Sequence, residues 1–306
     1  MLAKTTYHGV RMKKITCIAI LLLSTSLLLL FACTSTTSQY DYKETEELVS
    51  FVNRAVDLIE EYGEEAFPQF RISGSEWDHD DLYIFVWGLD GMRYVYPPDV
   101  SGEGKNMLDL KDINGKPIGK QFVEAVSGDA SEGWIHYQWP KPNSKIPIWK
   151  STYLEKAVAP SGKSYLVGSG LYEMPIDKAF VVYNVNQAVE LLEEKGKDAF
   201  DDLRSTKSPY RFMDCYIFIK DMNGNELFNA AFPELEGTNI MELKDADGQL
   251  FVKKELEILK NKNQCWNDYM WPKPKQKEPS LKRVFVKKAL VDGEILIVGC
   301  GYYPLK

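Results

Sequence analysis

The chain has 306 residues and carries 44 acidic against 37 basic side chains, a net charge of −7. That balance lacks the basic stripe that neutralises phosphates, so nucleic acid is excluded as a partner. With 44% hydrophobic and 12% aromatic residues, a disordered body is excluded as well.

The first element in chain order is an address. Lys4, Arg11, Lys13 and Lys14 precede an apolar stretch from Ile15 to Ala32, broken only by Thr16 and by Ser24, Thr25 and Ser26, and Cys33 follows Ala32 directly. A basic leader, an apolar run and a small residue before the cut mark a secretory signal peptide over residues 1–32. With the cysteine in that place the string resembles the lipobox of bacterial lipoproteins. The resemblance implies cleavage before Cys33, a diacylglycerol on its thiol and an acyl chain such as palmitate on its new amine. The other reading is an uncleaved membrane span, which has no need of a cysteine at that spot. Met12 is a second plausible start beside Met1. Residues 33–41 are the lipidated cysteine and a polar tether, rich in Thr and Ser. Loss of the four leader cations takes the net charge from −7 to −11. Two or more acyl chains hold a protein durably, so the expected location is the cell envelope. Thr34, where an aspartate would signal inner-membrane retention, favours by that resemblance the periplasmic face of the outer membrane in a Gram-negative cell.

Behind the tether the chain is written twice. VNRAVDLIEEYGEEAF at Val52 returns as VNQAVELLEEKGKDAF at Val185, YIFVWGLDG at Tyr83 as YIFIKDMNG at Tyr216, and NMLDLKDINGK at Asn106 as NIMELKDADGQ at Asn239. WPKP recurs at Trp139 and Trp271, and VGSGLY at Val167 as VGCGYY at Val298, so an offset of 131–133 residues holds throughout. A repeat of about 130 residues is the size of a domain with its own core, which rules out a solenoid of short units. The domains are placed at residues 42–174 and 175–306.

Within a copy, Val49, Val52, Val56 and Ile59 recur at helical spacing with Glu60, Glu61 and Glu64 left to water, and Val185, Val189 and Leu192 repeat the pattern. Tyr83 to Leu89 and Arg93 to Tyr96 predict two strands about an Asp90-Gly91 turn, matched by Asn223-Gly224. Ile118 to Val126 predicts a second helix. Trp134 to Trp139, Ser151 to Val158 and Tyr165 to Gly170 predict three more strands, the first two joined by a loop holding Pro140, Pro142 and Pro147. Helices followed by hairpin-linked strands predict an α+β architecture, an antiparallel sheet flanked by helices in each copy.

GEEAF at Gly63, EW at Glu76, YIFVWGLDG at Tyr83, GKNMLDLKDINGK at Gly104, YQWPKP at Tyr137, the Lys150-Ser151-Thr152-Tyr153 strand and VGSGLY at Val167 come in an order that resembles the extracytoplasmic Cache sensor domains. The resemblance is to the second Cache type, found singly or doubled in chemoreceptors and sensor kinases, and it runs twice between Tyr42 and Tyr303. It implies two tandem PAS-like folds, each with a small-ligand pocket between sheet and covering loops, and small carboxylates or amino acids as ligands. Chemoreceptors continue into a membrane helix and signalling modules, whereas this chain stops at Lys306. The expected role is therefore a sensor or binding component for a membrane partner such as a sensor kinase, chemoreceptor or transporter. The alternative is a structural or interaction lipoprotein that keeps the fold with filled pockets.

The candidate ligand-binding residues follow from chemistry. Tyr137 and Trp139 lie two apart on one strand and share a face. Lys150, expected to begin the next strand, offers a point charge to a carboxylate, and Tyr153 follows on that strand. The second copy keeps Tyr269, Trp271 and Lys282 but has Phe285 in place of Tyr153, so the first copy is expected to be the better polar binder. Aromatic pairs at period two also suit a plain core. Enzymatic signatures are missing: there is no HExxH, GxSxG, P-loop or dinucleotide fingerprint, and His79 and His136 stand alone without metal spacing. No enzyme, metal or cofactor is expected. The acidic segments at Trp77 to Asp81 and Lys244 to Gly248 read as turns. Beyond Cys17 and Cys33, the remaining cysteines are Cys215, Cys265 and Cys300, all in the second copy. They are either buried thiols or include a Cys215 to Cys300 bridge, which an oxidising compartment permits.

Overall fold

Apolar residues recurring every three or four positions give each copy its opening helix. In α1 (Lys43–Tyr62) the buried stripe includes Leu48, Val52, Ala55, Val56 and Ile59. Gly63 ends it in the left-handed region at φ 63°, returning its N–H to the Ile59 carbonyl, and Gly196 at φ 60° ends the matching helix of the second copy. The computed structural model describes residues 38–142 and 144–305. The expected cleavage site, Cys33 and the tether up to residue 37 lie outside the described residues.

In the first copy, β1 (Phe85–Gly88), β2 (Arg93–Val95), α2 (Ile118–Glu124), β3 (Glu132–Pro140), β4 (Pro147–Val158) and β5 (Ser164–Tyr172) follow α1. The second copy repeats them as α3 (Lys178–Lys195), a short α4 (Ala199–Arg204), β6 (Phe218–Asp221), β7 (Glu226–Asn229), α5 (Phe251–Leu259), β8 (Gln264–Pro272), β9 (Pro279–Val291) and β10 (Glu294–Tyr302). The sheets have the same antiparallel order, β2-β1-β5-β4-β3 and β7-β6-β10-β9-β8. Each is therefore a PAS-like antiparallel sheet flanked by helices, the α+β architecture the sequence predicts. Cross-strand register is also repeated: Tyr137 faces Lys150 and Trp134 faces Tyr153, just as Tyr269 faces Lys282 and Trp266 faces Phe285.

Two packing layers follow from the period of two. One sheet face, with Val86, Trp134, Tyr153 and Val167, packs under α1, while the other, with Phe85, Tyr137, Leu154 and Leu166, packs against Ile118 and Phe122 of α2. The strand holding Lys150 starts three residues earlier than expected, at Pro147, so the lysine sits inside the strand and is buried.

The repeated Lys-Asp turn fixes the edge of this second face. One oxygen of the Asp112 carboxylate takes the N–H groups of Asn114 and Lys116, and the other takes the Gln138 N–H at 3.2 Å, between Tyr137 and Trp139. Asp245 does the same for Asp247, Gln249 and, at 2.9 Å, Met270. Tyr172 then donates to the Pro140 carbonyl, and Tyr303 to that of Pro272, which pins the proline loops. At the junction of the copies, one oxygen of the buried Asp177 carboxylate caps α3 through the Ala179 N–H, and the other takes the N–H groups of Asp41 and Tyr42 at 2.9 and 3.0 Å.

Gly168 and Gly299 occupy matching strand positions where an added methyl would overlap the ring of Phe85 or Phe218. Overpacking of this kind costs about 1–3 kcal/mol. Phe85 borders a cavity of about 340 Å³ and Phe218 a space of only about 20 Å³, so Gly299→Ala is expected to lower the urea midpoint more than Gly168→Ala. Equal losses would refute that account.

Candidate functional site

A cavity of about 340 Å³ lies in the first copy on the face away from α1, between the sheet, α2 and the loops at Pro98 and Pro140. Its wall is aromatic because successive inward positions carry rings: Tyr83 just before β1 and Phe85 and Trp87 along it, Tyr137 and Trp139 along β3, and Phe122 from α2. Phe85 stacks on Phe122 with centroids 5.6 Å apart, and Tyr137 meets Trp139 edge to face at 6.1 Å.

The polar groups at this wall are few. Arg93 is 8% exposed; its Nε donates to the Gly102 carbonyl at 3.2 Å and its guanidinium lies 4.4 Å over the Tyr96 ring. The terminal amino groups of this planar fork have no hydrogen-bond partner among the described residues. Asp99 lies across the rim, held below the usual carboxylate range by the Ser101 hydroxyl and, less strongly, by Arg93. Lys141 pairs with Asp81 at 3.3 Å.

Lys150 stands one side chain behind the wall. Its ammonium donates to the Tyr83 hydroxyl at 2.9 Å and lies 4.4 and 4.7 Å from the rings of Tyr83 and Tyr172. Burial, opposed only by Asp81, brings its pKa down to about 7.

Of the residues singled out by sequence, Tyr137 and Trp139 line the cavity and Lys150 reaches it through Tyr83. Tyr153 does not. It is three positions from Lys150 on the same strand and so faces the other way, packing at 5.1 Å from Trp134 and donating to Glu132 at 2.7 Å. Its counterpart Phe285 faces Trp266, so the Tyr-to-Phe difference between copies does not touch the cradle.

In the second copy Tyr269, Trp271 and Lys282 converge on a remnant of only about 20 Å³, room for one water. Where the first cavity has Trp87, Arg93, Tyr96, Asp99 and Phe122, the second copy has Lys220, Glu226, Asn229, Phe232 and Glu255. Lys220 and Glu255 form a buried ion pair at 2.7 Å, and Asn229 donates to Glu226 at 2.7 Å. Phe232 packs 5.7 Å from both Tyr216 and Trp271. Burial pushes Glu226 up to about 7 and Lys282 down to about 8. The second cradle is thus filled by its own side chains. Sequence reasoning passes over Arg93, yet the sequence holds a signal: Arg93 is one of several positions bordering the first cavity that change chemical class in the second copy.

A family model described as Cache domain matches the chain twice, over residues 45–179 and 172–290. The methyl-accepting chemotaxis protein McpP of Pseudomonas putida is similar, at 26% identity over 104 residues, covering 34% of this chain and 18% of that protein. The chain thus matches less than a fifth of that relative's length. Among solved structures, a Cache chemosensory domain described for carboxylic acid recognition is 22% identical, covering 43% of this chain and 94% of its own, with a TM-score of 0.36. A methyl-accepting chemotaxis protein from Vibrio parahaemolyticus is 23% identical, covering 41% and 84%, with a TM-score of 0.33.

Proposed function

Because the chain belongs to the Cache domain family, we propose that it is an extracytoplasmic ligand-binding protein whose first copy takes a small carboxylate, and that it serves a membrane partner as sensor or binding component. The observation that carries this reading is Arg93. A guanidinium with unshared donors, set in an aromatic cavity, offers a carboxylate a bidentate partner while the rings cover its apolar part. Tyr83, polarised by the Lys150 ammonium behind it, supplies a further donor. The second copy, with its cradle filled, serves as scaffold.

A ligand of five or six heavy atoms, at a ceiling of about 1.5 kcal/mol per atom, reaches micromolar affinity, which suits sensing. The test is a thermal-shift and calorimetric screen of the full chain with short mono- and dicarboxylates and amino acids. Bound ligand raises the melting temperature by mass action. A flat response across the panel would replace this reading with that of a structural lipoprotein.

Binding should also draw in a proton. A carboxylate arriving near Tyr83 raises the Lys150 pKa from about 7, so uptake is expected at slightly alkaline pH, where the free site is largely neutral, and should vanish at pH well below 7, where the lysine is already charged. Calorimetry in buffers of different ionisation heat measures it, and Lys150→Met should abolish the buffer dependence.

Anchoring through Cys33 is part of the same proposal and rests on the leader sequence. Radiolabelled palmitate should enter the expressed chain and be lost in Cys33→Ser. Equal labelling of both would remove the anchor.

A further inference from the structure

On the far side of β3 from the first cavity, a second one of about 180 Å³ lies along the seam between the copies. β3 and α2 form the partition. Tyr137 and Phe122 face the first cavity, while their neighbours His136 and Gln121 face the seam. The opposite wall comes from the second copy, from Phe180 of α3 and from Tyr210 and Phe212 of the loop after α4.

Two buried polar side chains open onto this space with bonding capacity unspent. Gln121 is 5% exposed; its amide N–H donates to the Lys207 carbonyl at 3.1 Å, which orients the side chain, and its Oε1 has no partner among the described residues. His136 is 3% exposed; its Nδ1 lies 2.9 Å from the Ser151 hydroxyl and its Nε2 has no partner among them. Leaving such groups unpaired costs free energy that an occupant recovers. Burial and the ammonium of Lys116, which spans the seam from the His136 carbonyl at 2.8 Å to that of Arg211 at 3.2 Å, keep the imidazole neutral. Its Nε2 therefore accepts when Nδ1–H donates to Ser151 and donates in the other tautomer.

Shape and charge narrow the occupant. The imidazole stacks on Phe212 at 3.9 Å and lies 4.7 Å from Phe180, so the walls are flat rings. Among the described residues no lysine or arginine borders the space, whereas Glu124 does, which disfavours anions. At about 30 Å³ per water the volume holds roughly six, the room of one small ring system.

We propose that the seam is a second ligand site, for an amino-substituted nitrogen heterocycle no larger than a nucleobase, whose amino group donates to Gln121 Oε1 and whose ring edge meets His136 Nε2. The chemistry differs from that of the first cavity, and the inference does not depend on what that cavity binds.

Titration of the full chain with adenine, cytosine and 2-aminopyridine by calorimetry tests it. At least one should bind with unit stoichiometry. Gln121→Leu, which removes the acceptor, should weaken that binding by roughly tenfold or more, and Ala125→Phe, which fills the space, should eliminate it, with near-ultraviolet circular dichroism showing that each variant is folded. In the unaltered chain any two of these probes that bind should compete for one site. The proposal is overturned if none of the three binds at millimolar concentration, if two bind independently, or if Gln121→Leu binds as well as the parent. Should Ala125→Phe fail to fold, Gln121→Leu and the competition experiment decide between these outcomes.

Discussion

Arg93→Ala is expected to weaken binding of the cognate carboxylate by roughly 100-fold, the effect of losing a charge-assisted bidentate contact inside an apolar wall. Arg93→Lys should recover only part of the loss, because an ammonium cannot present two parallel donors from one plane. In the absence of ligand both variants should melt close to the parent: among the described residues, Arg93 makes one side-chain hydrogen bond, to the Gly102 carbonyl, and one ring contact, with Tyr96. Calorimetric titration gives the affinities and a thermal melt the stabilities. If Arg93→Ala binds the ligand as tightly as the parent, the carboxylate does not sit at this guanidinium.

Lys220→Met is expected to cost about 3–5 kcal/mol of stability, since it leaves the Glu255 carboxylate buried with no cation beside it. The double variant Lys220→Met with Glu255→Leu should return to within about 1 kcal/mol of the parent or exceed it, as apolar replacement of a whole buried pair is often neutral or stabilising. Urea unfolding of the parent, both single variants and the double variant closes the cycle. A double variant whose loss equals the sum of the two single losses would mean that the pair holds no mutual energy. The measurement also bears on the division of labour between the copies, because this pair stands where the first copy packs Trp87 against Phe122 at 5.3 Å.

Much of the architecture was legible in the chain. The duplication, the helical period of Val52, Val56 and Ile59, the Asp90-Gly91 turn and the Pro140 loop all express local rules, and local rules survive into the fold. Tyr137 and Trp139 were legible for the same reason, since two positions along a strand share a face whatever else happens. Tyr153 was grouped with Lys150 although the two are three positions apart on one strand, and a spacing of three cannot keep both on one side. Arg93 was not legible from its own neighbourhood, where it reads as an ordinary strand residue near a turn. Its burial is set by Gly102 and Tyr96, contacts no periodicity encodes. The filling of the second cradle was likewise hidden, because Lys220 and Glu255 lie 35 positions apart and meet only when α5 is laid on the sheet.

The matched register of the two sheets carries a hazard during synthesis. Strands of nearly equal length and the same order can enter the wrong half, as tandem twins on one polypeptide tend to exchange pieces. The side chains that distinguish the halves make such an exchange unfavourable. A 218–229 hairpin seated beside α2 would bring the Lys220 ammonium against Phe122, away from its Glu255 partner, and the 85–95 hairpin seated beside α5 would set Trp87 against Glu255 in place of Lys220. Each error would separate the Lys220–Glu255 pair, and breaking a buried pair is strongly destabilising. Divergence inside the cradles thus acts as a proofreading device, sorting the two nascent halves into their own partners.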